Sequence, residues 1–434
     1  MGGSIICHSG QKDKDIFLFQ SELDKLFSDE ESEYFDLTGF CFPDGDYKLP
    51  MNFRKDVYFT FSRFYGNADF DFTVFHGKVE FAVSLFFDGA SFIETVFERE
   101  SIFANARFFK NVQFSRSLFE ENADFSFVTF QSPAYFSSVG FNGSADFHHA
   151  RAIQGALVSF DGEKGPRISF TSGADFTSFD VQADAKIRFR RISFQKCRLL
   201  ELDATRAEIT DVVWPNTPKL FRSSRRKAVQ DELEPNSDWL EWHNLCHKGS
   251  EIEPSKYQYT LIAELYRRLQ INYINNYRYS EAGDFHIGEQ EMMRKAKGKI
   301  RQYLSTNFLY KIISYYGESF TLPLFWLAFV LLLFPAVLLY DGINLNPTLQ
   351  DPAVAETVNY EWSWSPGNFL PAKSDYWEAF VANFSLIAYS RSDIGKYLPE
   401  PHTRFIVTIE SLIVIALLAF FLLALRRQYK RKTF

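Results

Sequence analysis

Few residues of this sequence stand at spacings that could do chemistry. His243, Cys246 and His247 form its one metal-like cluster. Zinc sites usually take four ligands in paired spacings. No second pair accompanies this one, so neither a metal centre nor a cofactor is expected. There is no nucleophile elbow, P-loop, paired-glycine nucleotide loop or His-Glu-x-x-His, and enzyme activity is not expected either. The remaining candidates lie in the C-terminal third. Glu410 interrupts Phe405 to Leu425, a stretch of 21 residues with no other charge. Tyr389-Ser390-Arg391-Ser392-Asp393 follows a short apolar segment. An ionisable group inside a span is a functional candidate by default. Polar backbone at membrane depth is tolerated where it lines water. Tyr389, Ser390, Arg391, Ser392, Asp393 and Glu410 are therefore the candidate pore residues. Glu410 could line a conduit, pair with Arg404, or sit near the outer headgroups, six residues beyond Arg404.

Two apolar stretches must position these residues. Thr321 to Tyr340 is twenty residues without a charge, and Phe405 to Leu425 is the second. Each is long enough to cross a hydrocarbon core of about 30 Å. Lys295, Lys297, Lys299, Arg301 and Lys311 precede the first, and Arg426, Arg427, Lys430, Arg431 and Lys432 follow the second. Asp341 to Arg404 carries only four Lys or Arg. The positive-inside rule then puts both termini in the cytoplasm and the loop outside. Between the spans, Tyr376, Trp377, Phe380, Phe384 and Ile387 suit a short re-entrant helix, too short to span. Tyr303 to Tyr316 suits a helix lying in the inner interface.

Most of the 434 residues lie before the spans, and Phe dominates them. Phe59, Phe70, Phe81, Phe92, Phe103, Phe114, Phe125, Phe136 and Phe147 stand eleven apart. Phe64, Phe75, Phe86, Phe97, Phe108, Phe119, Phe130 and Phe141 run between them, so the steps alternate five and six. A helix at 100° per residue puts the two sets on different faces. A flat strand flips the side chain at every step of five. A strand that turns a corner every five or six residues fits both. Two residues before each Phe stands a small one, such as Ala68, Val79, Ala90, Ser62, Thr73 and Ser84. The six-residue steps carry Gly77, Gly89, Asn111, Asn122, Pro133 and Gly143, which favour turns.

Ala68-Asp69-Phe70, Ala123-Asp124-Phe125, Ala145-Asp146-Phe147 and Ala174-Asp175-Phe176 resemble the pentapeptide-repeat family, in its Phe-rich five-plus-six form. That resemblance implies a right-handed quadrilateral β-helix with 22 residues per coil. The ladder breaks after Phe147, where Ala152 replaces Phe and Asp161 to Arg167 reads as an inserted loop. It resumes from Phe170 to about Ile209 and ends at Trp214-Pro215, giving about six to seven coils. Some members of the family mimic DNA. Here residues 53 to 150 hold 12 Asp plus Glu against 8 Lys plus Arg, too mixed for that role, and a net charge of −7 argues against nucleic acid as a partner. Cys7, Cys41, Cys197 and Cys246 have no paired spacing, as in a reducing compartment. Met1 to Gln20 has no signal-peptide pattern.

The expected organisation is an N-terminal cap (1–52), the β-helix (53–214), a helical linker with an interfacial helix (215–318), and a two-span membrane domain (319–434). In the linker, Lys219 to Lys227 is basic and Asp231 to Asp238 acidic. Leu261, Leu265, Leu269 and Tyr273 recur at steps of four, and Tyr279 to Phe285 opens a second helix, so the pair resembles a single tetratricopeptide-like hairpin. The outer helix, short re-entrant helix, polar turn and inner helix resemble the pore module of two-transmembrane potassium channels. Ala424-Leu425-Arg426-Arg427 matches a motif found with this bacterial architecture. The filter departs from it. Leu386-Ile387-Ala388-Tyr389-Ser390-Arg391 lacks both glycines of a potassium filter, so potassium selectivity does not carry over. The fold class is thus mixed: a β-helix, a helical hairpin and two transmembrane helices. The resemblance implies a bacterial inner-membrane homo-oligomer, tetrameric by analogy, that contacts lipid and passes an ion while its rod binds a cytoplasmic protein. A membrane-anchored scaffold and a pore-forming defence effector are the rival expectations.

Overall fold

The structure, a computed structural model, describes residues 15–162, 170–218, 225–234, 254–298, 300–341, 344–345, 376, 380, 383–384, 387, 397–398 and 401–432. The chain divides into two compact units, Met1–Gly298 and Lys299–Phe434.

The first unit is a parallel β-solenoid of about eight turns with helices at its two ends, consistent with a pentapeptide-repeat β-helix. Short strands stack into four parallel sheets of eight, seven, seven and five strands. In chain order each coil contributes to a first side (Asp56–Tyr58), a second (Arg63–Phe64), a third (Ala68–Asp69) and a fourth (Val74–Phe75). Residues pair with those 22 positions on, as Val57 does with Val79 and Ala68 with Ala90. Pairing begins earlier than the Phe spacing suggests. Tyr34–Asp36 already pairs with Asp56–Tyr58, and Cys41–Phe42 with Arg63–Phe64, so the coils outnumber the six to seven expected.

All seventeen ladder Phe side chains are buried. Rings 22 apart stack face to face, as Phe103 does on Phe125 at 4.8 Å and 1°. Rings eleven apart meet edge to face, as Phe103 does with Phe114 at 5.4 Å and 90°. Both are favoured aromatic geometries. The inward small residues complete the interior. Buried Ser62, Ser84 and Thr95 hydroxyls donate to the Leu37, Phe59 and Phe70 carbonyls (2.7, 2.6 and 2.8 Å), so none is stranded. Asp124, Asp146 and Asp175 turn outward, and Oδ1 of each accepts the backbone N–H two residues on. The Asp of the repeat therefore holds the corner. Ala152 occupies the place of a Phe after Phe147 and is itself fully buried, while Phe160 and Phe176 carry the stacks onward. The loop after Asp161 falls largely on residues outside those described.

Both solenoid ends are covered, as open sheet edges require. Helix α1 (Ile16–Phe27) starts at Asp15, whose carboxylate accepts from Leu18 N–H at 3.2 Å. It buries Phe19 and Leu23, and Phe27 packs edge-on against Phe35 and Phe53. At the far end, Gln230–Leu233 (α2), Pro254–Asn275 (α3) and Tyr279–Lys295 (α4) form the cover. Asn272 Nδ2 donates to the Ala204 and Ala207 carbonyls of the last coil at 2.9 and 2.6 Å. Trp214 lies over Phe194 and donates to Tyr273 Oη at 2.8 Å. The hairpin expected to be tetratricopeptide-like thus spends its apolar face on closing the solenoid. Within the charged stretch before it, Arg226 is buried and its Nη2 donates to both Glu232 oxygens at 2.7 Å. His243, Cys246 and His247 lie outside the described residues.

The second unit contains α5 (Thr306–Ser314), α6 (Thr321–Asp341) and α7 (Pro401–Lys432). A single described helix is long and apolar enough to cross a membrane, Phe405–Arg427 of α7. Thr321–Val337 of α6 is a shorter apolar helix.

Candidate functional site

Helix α7 shows why Glu410 stands apart. Val407, Glu410, Val414, Leu417 and Ala424 fall on one buried stripe, at helical spacing. Phe405, Leu412, Ile415, Leu422 and Leu423 lie exposed on the other faces. Against the buried stripe pack residues of α6 and α5: Val330 joins Val414 and Leu417, with Trp326, Leu331, Phe334 and Ile313 around them. Trp326 Nε1 donates to the Ile312 carbonyl at 3.0 Å and ties α6 to α5. At the basic end of α7, Arg427 donates to the Tyr316 carbonyl at 3.1 Å and lies 3.7 Å from Glu318. Tyr315 and Tyr316 adopt left-handed backbone there, followed by Gly317 at φ 76°. The positive φ of Gly317 is a conformation that glycine adopts without the strain of a Cβ.

Glu410 is fully buried, and its partner among the described residues is Asn383; the Arg404 side chain lies outside the described ones. Asn383 Nδ2 donates to Glu410 Oε1 at 2.8 Å. The remaining oxygens, Glu410 Oε2 and Asn383 Oδ1, are buried without a hydrogen-bond partner among the described residues. Native interiors rarely leave such atoms unpaired. Asn383 is itself 1% exposed. It belongs to the segment expected to form the short helix, in which Tyr376, Phe380, Asn383, Phe384 and Ile387 are helical. Tyr376 anchors that segment by donating to the Leu332 carbonyl of α6 at 2.6 Å. Ile387 packs against the Val330–Leu417 cluster.

Of the six candidates, the structure describes Glu410 alone. Tyr389, Ser390, Arg391, Ser392 and Asp393 lie outside the described residues. Asn383 is the residue that the sequence argument missed. A signal for it existed: Tyr376, Phe380, Asn383 and Ile387 run at helical spacing, so Asn383 is the polar member of an apolar stripe. Chemically, the pair offers one carboxyl and one carboxamide oxygen with no donor among the described residues. Such oxygens are hard ligands, suited to a proton or an alkali or alkaline-earth cation.

The first unit offers less chemistry. Cys197 is buried and its thiol is pushed up by that burial, away from the reactive thiolate form. The His148 imidazole lies 2.7 Å from Asp146, which raises its pKa, on an open surface with no nucleophile beside it. Among the described residues no group of three or more His, Cys, Asp or Glu could hold a metal. Comparison of the chain with family models, with curated proteins and with solved structures gives no match.

Proposed function

We propose that the chain is an oligomeric membrane protein with a polar path for ions beside α7, controlled by a cytoplasmic solenoid. The observation that carries this reading is the buried Asn383–Glu410 pair with its two unpaired oxygens, on a helix long enough to span. A helix serving only as an anchor has no use for a buried carboxyl and amide, which cost free energy unless satisfied. In this reading α6 is the second span, residues 374–399 re-enter the membrane, and both termini are cytoplasmic. Arg391 and Asp393 stand at the mouth. The filter is not of the potassium type, because its glycines are absent. The solenoid is the right-handed quadrilateral β-helix of the pentapeptide-repeat pattern, and it senses or binds a partner.

The test is a planar bilayer containing the purified protein, with salt gradients of several cations. The expected result is a conductance whose reversal potential shifts in Arg391→Glu and Asp393→Lys. Silence of the wild-type protein under every ligand, voltage and tension applied would sink the proposal. A membrane-anchored scaffold is the second reading. It is favoured by the exposed aromatics Phe61, Phe72 and Phe127 on the solenoid. It predicts that an unrelated membrane anchor can replace residues 319–434 without loss of function.

A further inference from the structure

The outer surface of the solenoid is not uniform. On the second side the outward residues of successive coils are Arg63, Leu85, Arg107, Thr129 and Arg151, with Asp180 after them on the last coil of that sheet. Lys110 stands at the next corner. No ion pair or side-chain hydrogen bond is formed by Arg63, Arg107, Lys110 or Arg151 among the described residues. Elsewhere on the rod Lys78, Arg99 and Arg116 each hold a Glu within 3.0 Å. Asp88 stands at the Lys110 corner, where it accepts from Gly89 N–H, and Asp180 follows Arg151 on the next coil. Tyr65, Phe87 and Phe109 stack along that corner at 5.1 and 5.0 Å. Arginine and aromatic residues together are the composition of binding hot spots.

The first side carries the opposite charge. Its outward residues are Asp36, Tyr58, Glu80, Ile102, Asp124, Asp146 and Asp175, ending at Arg198. Asp36, Asp124 and Asp175 use Oδ1 for the corner and keep Oδ2 for another donor. Glu80 also holds Lys78, and Asp146 holds His148. Strands stack about 4.8 Å apart, so charges two coils apart repeat at about 10 Å. The Arg residues take alternate coils, and so do Asp36, Glu80 and Asp124. In two parallel rods at equal height, Arg63 falls between Asp36 and Glu80 of the neighbour. Arg107 falls between Glu80 and Asp124, and Arg151 lies level with Asp146, while on the next coil Asp180 lies level with Asp175, so the complementary stretch runs from Asp36 to Arg151.

We propose that the occupant of the second side is a second copy of this chain, presenting its first side. The contact is heterologous, so its geometry decides whether it closes. The four sheets complete one turn, so neighbouring sides face directions about 90° apart on average, and a ring built this way closes after about four copies. The corner between the first and second sides then points at the ring axis. That corner carries Phe61, Val83, Asn105, Phe127 and His149, all in left-handed backbone. Phe61 is 58% and Phe127 44% exposed in the single chain. The ring covers them.

The inference does not depend on whether the second unit conducts. Its test uses the full chain in native membranes with Cys7→Ser and Cys246→Ser, leaving buried Cys41 and Cys197 in place. Ile102→Cys with Arg107→Cys puts one thiol on each proposed face, for linkage by a short bismaleimide. The expected result is a ladder of linked species ending at four. Gln113→Cys with Val96→Cys, on the third and fourth sides, is expected to stay unlinked. Adding Arg63→Glu with Arg151→Glu is expected to cut linkage at least tenfold, and further reversal of Glu80 and Asp124 to Lys to restore it. Far-ultraviolet circular dichroism checks that each variant folds. No ladder, one ending at two or running past four, equal linkage of the control pair, or reversal without rescue overturns the proposal. Linkage to another protein, or protection of the same thiols by nucleic acid or anionic vesicles, overturns it in favour of that partner.

Discussion

The solenoid interior and the packed face of the second unit solve the same problem in opposite ways. Along the solenoid ladder from Phe59 to Phe147 each large inward side chain is a Phe that meets others of its kind, and the buried hydroxyls of Ser62, Ser84 and Thr95 each find a carbonyl. Nothing there is left to bind. In the second unit an apolar stripe is interrupted by Glu410 and Asn383, and two of their oxygens have no donor among the described residues. A repeat removes exceptions because each coil must accept the next. An exception that persists in a packed apolar face is therefore the better place to look for function.

The comparison can be broken or sharpened by substitution. The largest effect is expected from Phe103→Ala, which removes stacking on both Phe81 and Phe125. It should cost about 3–5 kcal/mol in thermal or denaturant unfolding. Leu412→Ala, on the exposed face of α7, should leave unfolding almost unchanged; equal losses would remove the distinction between the two regions.

The next effect depends on pH. Asp231, buried beneath the C-terminal cover, accepts from Leu199 N–H at 3.0 Å. Burial pushes its pKa from 3.8 up to about 6; nearby Asp175 adds to this, while the Leu199 N–H and Arg198 oppose it. The folded state therefore holds its proton more tightly than the unfolded one. The stabilisation is complete below about pH 4 and is lost as the pH rises through about 6. A difference of about two units corresponds to about 3 kcal/mol. Asp231→Asn should remove that pH dependence, read as the difference from wild type between pH 4 and 7.

Gly143→Ala comes third. An added Cβ would lie 2.2 Å from the Glu121 carbonyl carbon, so the coils must part, at a cost of about 1–3 kcal/mol. Phe72→Gly is the smallest. Phe72 is exposed in left-handed backbone at φ 57°, a conformation costing other residues about 1 kcal/mol or more. Glycine there should raise the melting temperature slightly, and a fall would show that the ring is held by contacts outside the isolated chain.

What could be read from the sequence follows the same division. The ladder was legible because one interior imposes one rule at every coil, so seventeen Phe positions repeat the same evidence. The rule fails at the ends. Nothing in Asn272 or Trp214 announces that they close the last coil, because their partners are backbone carbonyls and a tyrosine hydroxyl far along the chain. Tyr34–Asp36 was missed as a coil because a cap and a first turn share the same irregular residues. In the second unit Glu410 was visible as a lone charge among apolar residues. Asn383 was not, because a neutral amide hardly disturbs hydropathy, and only its place on the stripe of Tyr376, Phe380 and Ile387 betrays it.

The most direct measurement is cation flux into liposomes by the wild-type protein, by Asn383→Leu/Glu410→Leu, and by Phe72→Gly as a solenoid control. The account predicts flux for wild type and for Phe72→Gly, and its loss in the double variant with the melting temperature preserved. A silent wild type, or a double variant that conducts as well as wild type, would contradict it.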